Sequence, residues 1–267
     1  MLCGITGSSG VLGNRLIKHK GIKFVKYNGD ITDKNKITKW IKKNKFDIFI
    51  HLAAIVPVTE VNKNYDRAKR VNYIGTKYIV DALIKYQNLT LKWFFFPSTS
   101  HVYSSNNIKK IKENYKLNPI TKYGKTKLLA ENYIRSVIKK ISFKYCIGRI
   151  FSFTDKKQKV PFLVPSLKQK LKTKKKIVVE NLYHFRDFIS IEDLCRAIIF
   201  LSKKKYNGTI NLASGKKVFI KDIALKIRKN KKVEFKKNEI VTYLIADISK
   251  LKKLGFRHKH TPFENIF

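Results

Sequence analysis

Ile5-Thr6-Gly7-Ser8-Ser9-Gly10-Val11-Leu12-Gly13 is the stretch whose reading decides the fold. It follows a short apolar opening, Met1–Ile5, and leads into a helix-like segment, Asn14–Lys20. The order is strand, glycine turn, helix start. Glycines at 7, 10 and 13 let the backbone turn sharply, approach a ligand closely and pack helix on strand. The free N–H groups at the helix start then face an anion, most simply a pyrophosphate. The spacing is Gly-x-x-Gly-x-x-Gly rather than Gly-x-Gly-x-x-Gly, and an ordinary glycine turn has the same appearance. Position favours the ligand-binding reading, because a strand leads in from Met1 and further landmarks follow in order.

Ile22–Tyr27 alternates and reads as a second strand, followed by a helix at Asn35–Lys43. Between them, Asp30 is either a carboxylate for the adenine side of a dinucleotide or a turn or N-cap aspartate. Phe46–Leu52 is a nearly continuous apolar run, so a buried parallel strand. It runs into Ala53-Ala54, small residues where a flat ligand can lie close. Tyr65–Gln87 carries helical periodicity through Ala68, Val71, Asn72, Gly75, Tyr78, Ile79, Ala82 and Leu83. Asn72 interrupts the apolar stripe. A buried amide needs partners, so it is either structural glue or part of a site.

Leu91–Phe96 is a further strand, ending in Pro97-Ser98-Thr99-Ser100-His101-Val102-Tyr103. Hydroxyls and a histidine at the C-terminal edge of a central strand lie where open α/β sheets bind ligands. Ser and Thr are also ordinary turn residues. Tyr123–Lys140 reads as one long helix, with Leu128, Ile134, Val137 and Ile138 toward the core. Tyr123 and Lys127 are one turn apart and share a face. A phenol titrates near 10, too high for a base at neutral pH. A neighbouring ammonium lowers that value and makes the pair a tuned general acid/base. The plain alternative is a solvated face in a lysine-rich chain.

The chain has 267 residues, enough for one large α/β domain or a domain with a small lobe. No apolar run approaches the roughly 18 residues of a membrane span. A strand at the N-terminus leaves no room for a signal peptide. Cys3, Cys146 and Cys195 show no metal-type spacing. They read as buried, reduced thiols of a cytoplasmic protein, and no metal is expected. The net charge of +41 has two readings. It marks a polyanion partner, or lysine has replaced other surface residues throughout. The pairs 42–43, 109–110, 139–140, 231–232 and 252–253 are spread evenly, with only Lys172–Lys176 denser. The second reading is favoured, and nucleic acid is not expected as a partner.

Thr6-Gly7-x-x-Gly10-x-x-Gly13, Asp30-Ile-Thr-Asp33, His51-Leu-Ala-Ala54, Asn72-Tyr-Ile-Gly75-Thr76, Ser98-Thr99-Ser100-His101-Val-Tyr103 and Tyr123-Gly-Lys-Thr-Lys127 occur in that order. Arg149-Ile-Phe, His184-Phe-Arg186-Asp187-Phe188 and Asn211-Leu-Ala-Ser-Gly215 follow. Over nearly its whole length the chain resembles an extended short-chain dehydrogenase/reductase of the nucleotide-sugar epimerase/dehydratase/reductase group. The resemblance implies a Rossmann-type, doubly wound parallel α/β sheet over residues 1–150. A small C-terminal substrate-binding lobe would occupy 151–267, with about 186–202 returning to the main domain. The implied cofactor is NAD or NADP, the implied substrate a nucleotide-linked sugar, and the implied assembly a homodimer through the helices at 65–87 and 123–140.

By the same resemblance, Gly7, Gly10, Val11, Leu12 and Gly13 bind the cofactor pyrophosphate. Asp30 and Ile31 contact adenine, Leu52, Ala53 and Ala54 line the cofactor, and Asn72 supports the site. Thr99, with Ser100 beside it, meets the sugar oxygen that becomes or ceases to be a carbonyl. Tyr123 exchanges that proton, while Lys127 bonds the nicotinamide ribose and lowers the Tyr123 pKa. Arg186 forks onto the substrate diphosphate, or else forms a structural salt bridge to Asp187 or Asp193. His101 is a second acid/base or a loop cap. Dehydratases of the group carry an acidic pair directly after the threonine; Ser100 and His101 here argue against elimination of water. The expectation is an NAD(P)-dependent reductase or epimerase of a nucleotide-linked sugar, with a dehydratase as the alternative. A different class remains as a rival: a non-catalytic Rossmann protein that binds a polyanion through its basic surface.

Overall fold

Successive side chains of a strand project to opposite faces, so a strand that is apolar at every position requires cover on both sides. The central sheet of the computed structural model meets that demand. The structure describes residues 1–104, 109–172, 178–180, 182–228, 234–236 and 240–263. The first half runs β1 (Leu2–Thr6), α1 (Val11–Leu16), β2 (Lys23–Tyr27), α2 (Lys34–Lys43), β3 (Ile48–His51), α3 (Val58–Lys63), α4 (Tyr65–Lys69), α5 (Thr76–Gln87), β4 (Trp93–Thr99), α6 (Lys122–Ser136) and β5 (Lys144–Ile150). The second half runs β6 (Ser152–Thr154), α7 (Leu163–Leu171), β7 (Val178–Val179), β8 (Phe185–Arg186), β9 (Phe188–Ser190), α8 (Ile191–Lys203), β10 (Gly208–Leu212), β11 (Val218–Phe219), α9 (Ile220–Arg228), β12 (Glu234–Phe235), β13 (Tyr243–Leu244) and α10 (Ser249–Lys253).

Six strands form an all-parallel sheet in the order β10-β5-β4-β3-β1-β2. Ile48, Ile50, Trp93 and Phe95 face one core with Leu16 of α1 and Leu194, Ala197 and Ile198 of α8. Phe49, Phe94 and Phe96, the alternate positions, face a second core with Ile37 of α2, Ile79 and Leu83 of α5, and Ile134 of α6. The sheet is doubly wound, as the sequence implies. Among the described residues no helix is long and apolar enough to cross a membrane.

Several boundaries differ from the sequence reading. The first helix spans Val11–Leu16, not 14–20, because the glycine turn itself supplies the helix entry at Gly10. β4 runs on through Pro97 to Thr99. Pairing with β3 ends at Phe95 while pairing with β5 continues to Thr99, so the missing proline N–H meets a strand paired on one side only. The helix expected over 65–87 is divided by a π turn, Arg70–Gly75. The helix expected over 123–140 ends at Ser136, and Ile138 then lies 38 % exposed rather than in the core. Cys3 and Cys146 are buried as expected, but Cys195 is only partly so.

The smaller lobe has its own core of Val164, Leu167, Leu171, Leu182, Ile220 and Ile223. The chain that returns to the sheet reaches beyond 202: β10 is the edge strand, and Leu251 and Phe256 join the sheet core. Arg15 of α1 donates to Asp155 from Nε at 3.1 Å and Nη2 at 2.8 Å, fastening the glycine-turn helix to the start of the lobe. Lysines 231–232, and the run 172–176 apart from Lys172, lie outside the described residues.

Candidate active site

The glycine turn is built by contact. Gly7 takes φ +71°, and its carbonyl accepts from Gly10 N at 3.2 Å. A Cβ on Gly13 would stand 2.3 Å from Gly7 O and 2.7 Å from Ser8 Cα, so only glycine lets the helix close on the turn. A Cβ on Gly10 would meet nothing nearer than Gly7 O at 3.4 Å, and Gly10 is exposed. The turn is therefore packed beneath and open above. Gly13→Ala is expected to lower stability by about 1–3 kcal/mol through overpacking. Gly10→Ala is expected to leave the melting temperature unchanged and weaken dinucleotide binding. Thermal unfolding and fluorescence titration with NADH read the two effects separately.

Beside the turn, a directed hydrogen-bond chain fixes the end of β3. Thr76 Oγ1 donates to Asn72 O at 2.8 Å, so it accepts from His51 Nε2–H at 2.9 Å. His51 Nδ1 then accepts from Thr6 Oγ1 at 2.7 Å, and Thr6 Oγ1 accepts from Ala53 N at 3.3 Å. Burial, with the nearby Lys127 charge, pulls His51 down to about 3, in keeping with this neutral tautomer. Leu52 packs against one core and Ala53 against the other. Asp30 Oδ1 accepts from Thr32 N and Oγ1, the turn reading, while Asp33 caps α2. Ile31 is buried under Gly75, and the Leu12 side chain packs into the sheet core.

Asn72 is satisfied on both ends. Its Oδ1 accepts from Ile55 N at 2.8 Å, and its Nδ2 donates to Ile55 O and Thr126 Oγ1. Thr126 Oγ1 donates in turn to Tyr123 O at 2.8 Å, so Asn72 braces the helix that carries Tyr123. That helix begins with Thr121, whose hydroxyl accepts from Gly124 N at 3.0 Å. A Cβ on Gly124 would lie 2.2 Å from His101 O. Gly124 thus allows α6 to touch the end of β4, a contact that sequence reasoning did not assign. The signal was a glycine in the first turn of a helix, where it costs stability unless space demands it.

The Thr99 hydroxyl lies close enough to the Tyr123 phenol to favour its ionised form. Thr99 Oγ1 also accepts from His101 N at 3.2 Å. The Tyr123 ring packs with Val61 and Ala68, and burial pushes its phenol well above the usual value, against the smaller opposing effect of the Thr99 side chain. The lowering by Lys127 that the resemblance implies is not what this structure shows. The Lys127 ammonium lies 4.1 Å over the Phe96 ring, and burial draws it down to about 7, with the Glu131 charge opposing. Ser100 is buried, and its carbonyl accepts from Tyr103 N.

His101 stands 6.0 Å from Tyr123 between ring centroids. Burial and the charge of Arg186 pull it down to about 4, so at neutral pH it is an uncharged imidazole that accepts a proton rather than supplies one. The Arg186 charge is therefore near enough to be felt at the His101 ring. The salt bridge weighed for it is absent: Asp187 is taken by Ser214, Gly215 and Ala246, and Asp193 by Arg196, Lys259 and His260. Among the described residues Arg186 makes no ion pair; Nη1 donates to the carbonyls of Phe185 at 2.8 Å and Thr242 at 3.2 Å.

Behind Lys127, one turn further along α6, lies a fully buried ion pair that sequence reasoning also left unassigned. Glu131 Oε1 accepts from Arg149 Nε at 3.0 Å and Oε2 from Arg149 Nη2 at 2.8 Å. Arg149 Nη1 donates to Tyr103 Oη and Glu113 O, both at 2.8 Å, and Tyr103 donates to Asn211 Oδ1. The helix with Tyr123 and Lys127 is thereby anchored to β5 and β10.

Residues 8–266 match the family model described as GDP-mannose 4,6 dehydratase. A GDP-6-deoxy-D-talose 4-dehydrogenase of Aggregatibacter actinomycetemcomitans is 30% identical over 222 residues, 79% of this chain and 74% of that protein. A dTDP-D-glucose 4,6-dehydratase of Dictyostelium discoideum is 28% identical over 221 residues, 78% of this chain; the match spans half of that longer protein's length. Among solved structures, the UDP-glucose 4-epimerase of Thermotoga maritima with UDP-glucose superposes with a TM-score of 0.86 at 21% identity, over 98% of this chain and 94% of that one.

Proposed function

The chain belongs to the GDP-mannose 4,6 dehydratase family within the extended short-chain dehydrogenase/reductases, and from that premise we propose that it is an NAD(P)-dependent epimerase or reductase of a nucleotide-linked sugar. The observation that carries the proposal is the buried grouping of the Thr99 hydroxyl beside the Tyr123 phenol, with Lys127 one turn on. The glycine turn fits a dinucleotide, because it is filled below by Gly13 and open above at Gly10. A bound nicotinamide dinucleotide supplies the hydride chemistry. The protein's own groups supply position and the proton. Tyr123 Oη gives or takes the proton of a sugar hydroxyl, and Thr99 Oγ1 holds that oxygen against it. Lys127, drawn from the Phe96 face, serves the cofactor ribose. Arg186, with no ion pair among the described residues, presents its fork to the substrate diphosphate.

A dehydratase needs an acid and a base placed to remove water from adjacent carbons. Ser100 and His101 hold the positions after Thr99, and the neutral His101 imidazole has no proton to give at pH 7. Elimination is therefore the second reading. The rival of a basic, non-catalytic Rossmann protein is disfavoured, since polyanion binding requires no buried Thr–Tyr–Lys set. The division of labour we assign is cofactor to residues 1–150 and substrate to the lobe of 151–267, from which about 186–202 return to the main domain. A cytoplasmic homodimer through α5 and α6 completes the proposal, and the molecular mass in solution tests the dimer.

The function itself is tested with a panel of UDP-, GDP- and dTDP-sugars, each with NAD and NADP. Reduced-nicotinamide absorbance and chromatography of the sugar nucleotides are followed together. Conversion of one sugar is expected. Dinucleotide binding without conversion of any sugar would remove the enzyme reading, and steep salt-dependent RNA binding in its place would establish the rival.

A further inference from the structure

A cleft of about 400 Å³ lies between the turn after β10 and the segment that follows α10. Lys216, Lys252, Arg257, His258 and His260 line it, with the hydroxyl residues Ser190 and Ser214. None of these belongs to the Tyr123 site, and among the described residues no carboxylate is in the lining. That size suits a small ligand.

The walls are held from beneath. Asp187, fully buried, accepts from Ser214 N and Oγ through Oδ1, each at 2.8 Å, and from Gly215 N at 2.8 Å and Ala246 N at 3.2 Å through Oδ2. Asp193, also fully buried, accepts from Lys259 N and His260 N, and pairs with Arg196. Both carboxylates spend their lone pairs on shaping the two loops. Among the described residues the side chains of Lys216, Lys252 and Arg257 form no ion pair. His258 Nε2 donates to Ala213 O at 2.8 Å, which fixes the ring between the two walls.

Lysine alone would carry little weight in this chain, because any cleft here gathers lysines. The cleft beside α7, about 260 Å³, does so too, with Lys156, Lys168 and Lys172, but Asp155 stands among them. Two of the chain's six histidines and one of its nine arginines lie on the first cleft, which a general enrichment in lysine does not produce. Arginine, histidine and hydroxyl donors converging on a hollow with no carboxylate among its described residues are the donor set of a phosphoryl group. We infer that this cleft is a second anion site that binds a small diphosphate-bearing molecule, apart from Arg186 and independent of the reading of the Tyr123 site.

The test is titration calorimetry of the full chain with inorganic pyrophosphate at physiological ionic strength, where loose surface attraction is screened. Three variants are compared with the parent: Lys252→Ala/Arg257→Ala, Arg186→Ala, and a charge-matched control, Lys203→Ala/Lys226→Ala. Lys252 and Arg257 are exposed, so the first variant is expected to keep its melting temperature. Beyond any pyrophosphate taken up at Arg186, one further site per chain is expected; it is weakened at least tenfold in Lys252→Ala/Arg257→Ala and kept in Arg186→Ala and in the control. Loss in Arg186→Ala alone would place the anion in the reaction cleft and overturn the inference. Equal weakening in the control, or no binding by the parent, would reduce it to diffuse attraction and overturn it as well. UDP titrated into Arg186→Ala separates the sources: affinity equal to pyrophosphate assigns a nucleotide, and its loss assigns the free diphosphate; both outcomes require the site.

Discussion

Tyr123→Phe is expected to lower turnover by about a hundred- to ten-thousand-fold, the usual contribution of a placed acid/base, with dinucleotide affinity nearly unchanged. The substitution removes one oxygen and leaves the ring among Val61 and Ala68. Thr99 keeps a partner, because His101 N still donates to it. Folding is therefore spared, and the loss falls on the proton transfer. Two readouts are needed: conversion of the accepted sugar nucleotide, and NADH binding by fluorescence. Parental activity in the phenylalanine variant would remove Tyr123 from the chemistry. Loss of NADH binding along with turnover would instead make it a cofactor contact.

Glu131→Ala should have the largest effect on stability. The carboxylate is fully buried against an Arg149 side chain that is 2% exposed, and deleting it strands that guanidinium in the interior. Breaking a buried pair from one side costs about 3–5 kcal/mol, a fall in Tm of roughly 6–20 °C for a chain of this size. Burial pushes the Glu131 carboxyl up, but the hydrogen bonds and charge of Arg149 outweigh it and hold the group below its ordinary value. Its contribution is therefore complete above the unfolded carboxylate value near 4.3 and is lost as pH falls through the lower folded value. Differential scanning calorimetry of the parent and variant from neutral to acid pH checks both points. The gap between them should narrow in acid; a Tm within 2 °C at pH 7, against the roughly 6 °C minimum above, would show the pair to be inessential. Removing Glu180 from its exposed contact with Lys236 should move Tm little by comparison.

The parts legible in the sequence were those set by local geometry. Gly7, Gly10 and Gly13 follow a strand, and Tyr123 and Lys127 share a face because a helix turns every 3.6 residues. Thr99 was placed by its position at a strand end. What stayed hidden depends on pieces far apart in the chain. Pro97 looked like a terminator because its lack of a β3 partner cannot be read locally. Gly124 gains its meaning from the His101 carbonyl, and Glu131 from Arg149, 18 residues on. The expected fate of Arg186 turned on carboxylates that the fold commits to backbone amides on other loops. The phenol–ammonium coupling was a statement about charge; the desolvation that dominates both groups comes from the packing of distant segments around them.

The π turn at 70–75 has a consequence for how one rod serves two clients. One surplus residue per turn slips the helical phase, so the apolar stripe is split rather than continuous. Ahead of the slip, Ala68 shuts water away from the tyrosine; past it, Ile79, Ala82 and Leu83 belong to the sheet. Lesions in the forward half and lesions in the rear half of this single rod should therefore sort into separate genetic classes, one losing the dryness around the tyrosine and the other the integrity of the open sheet behind it.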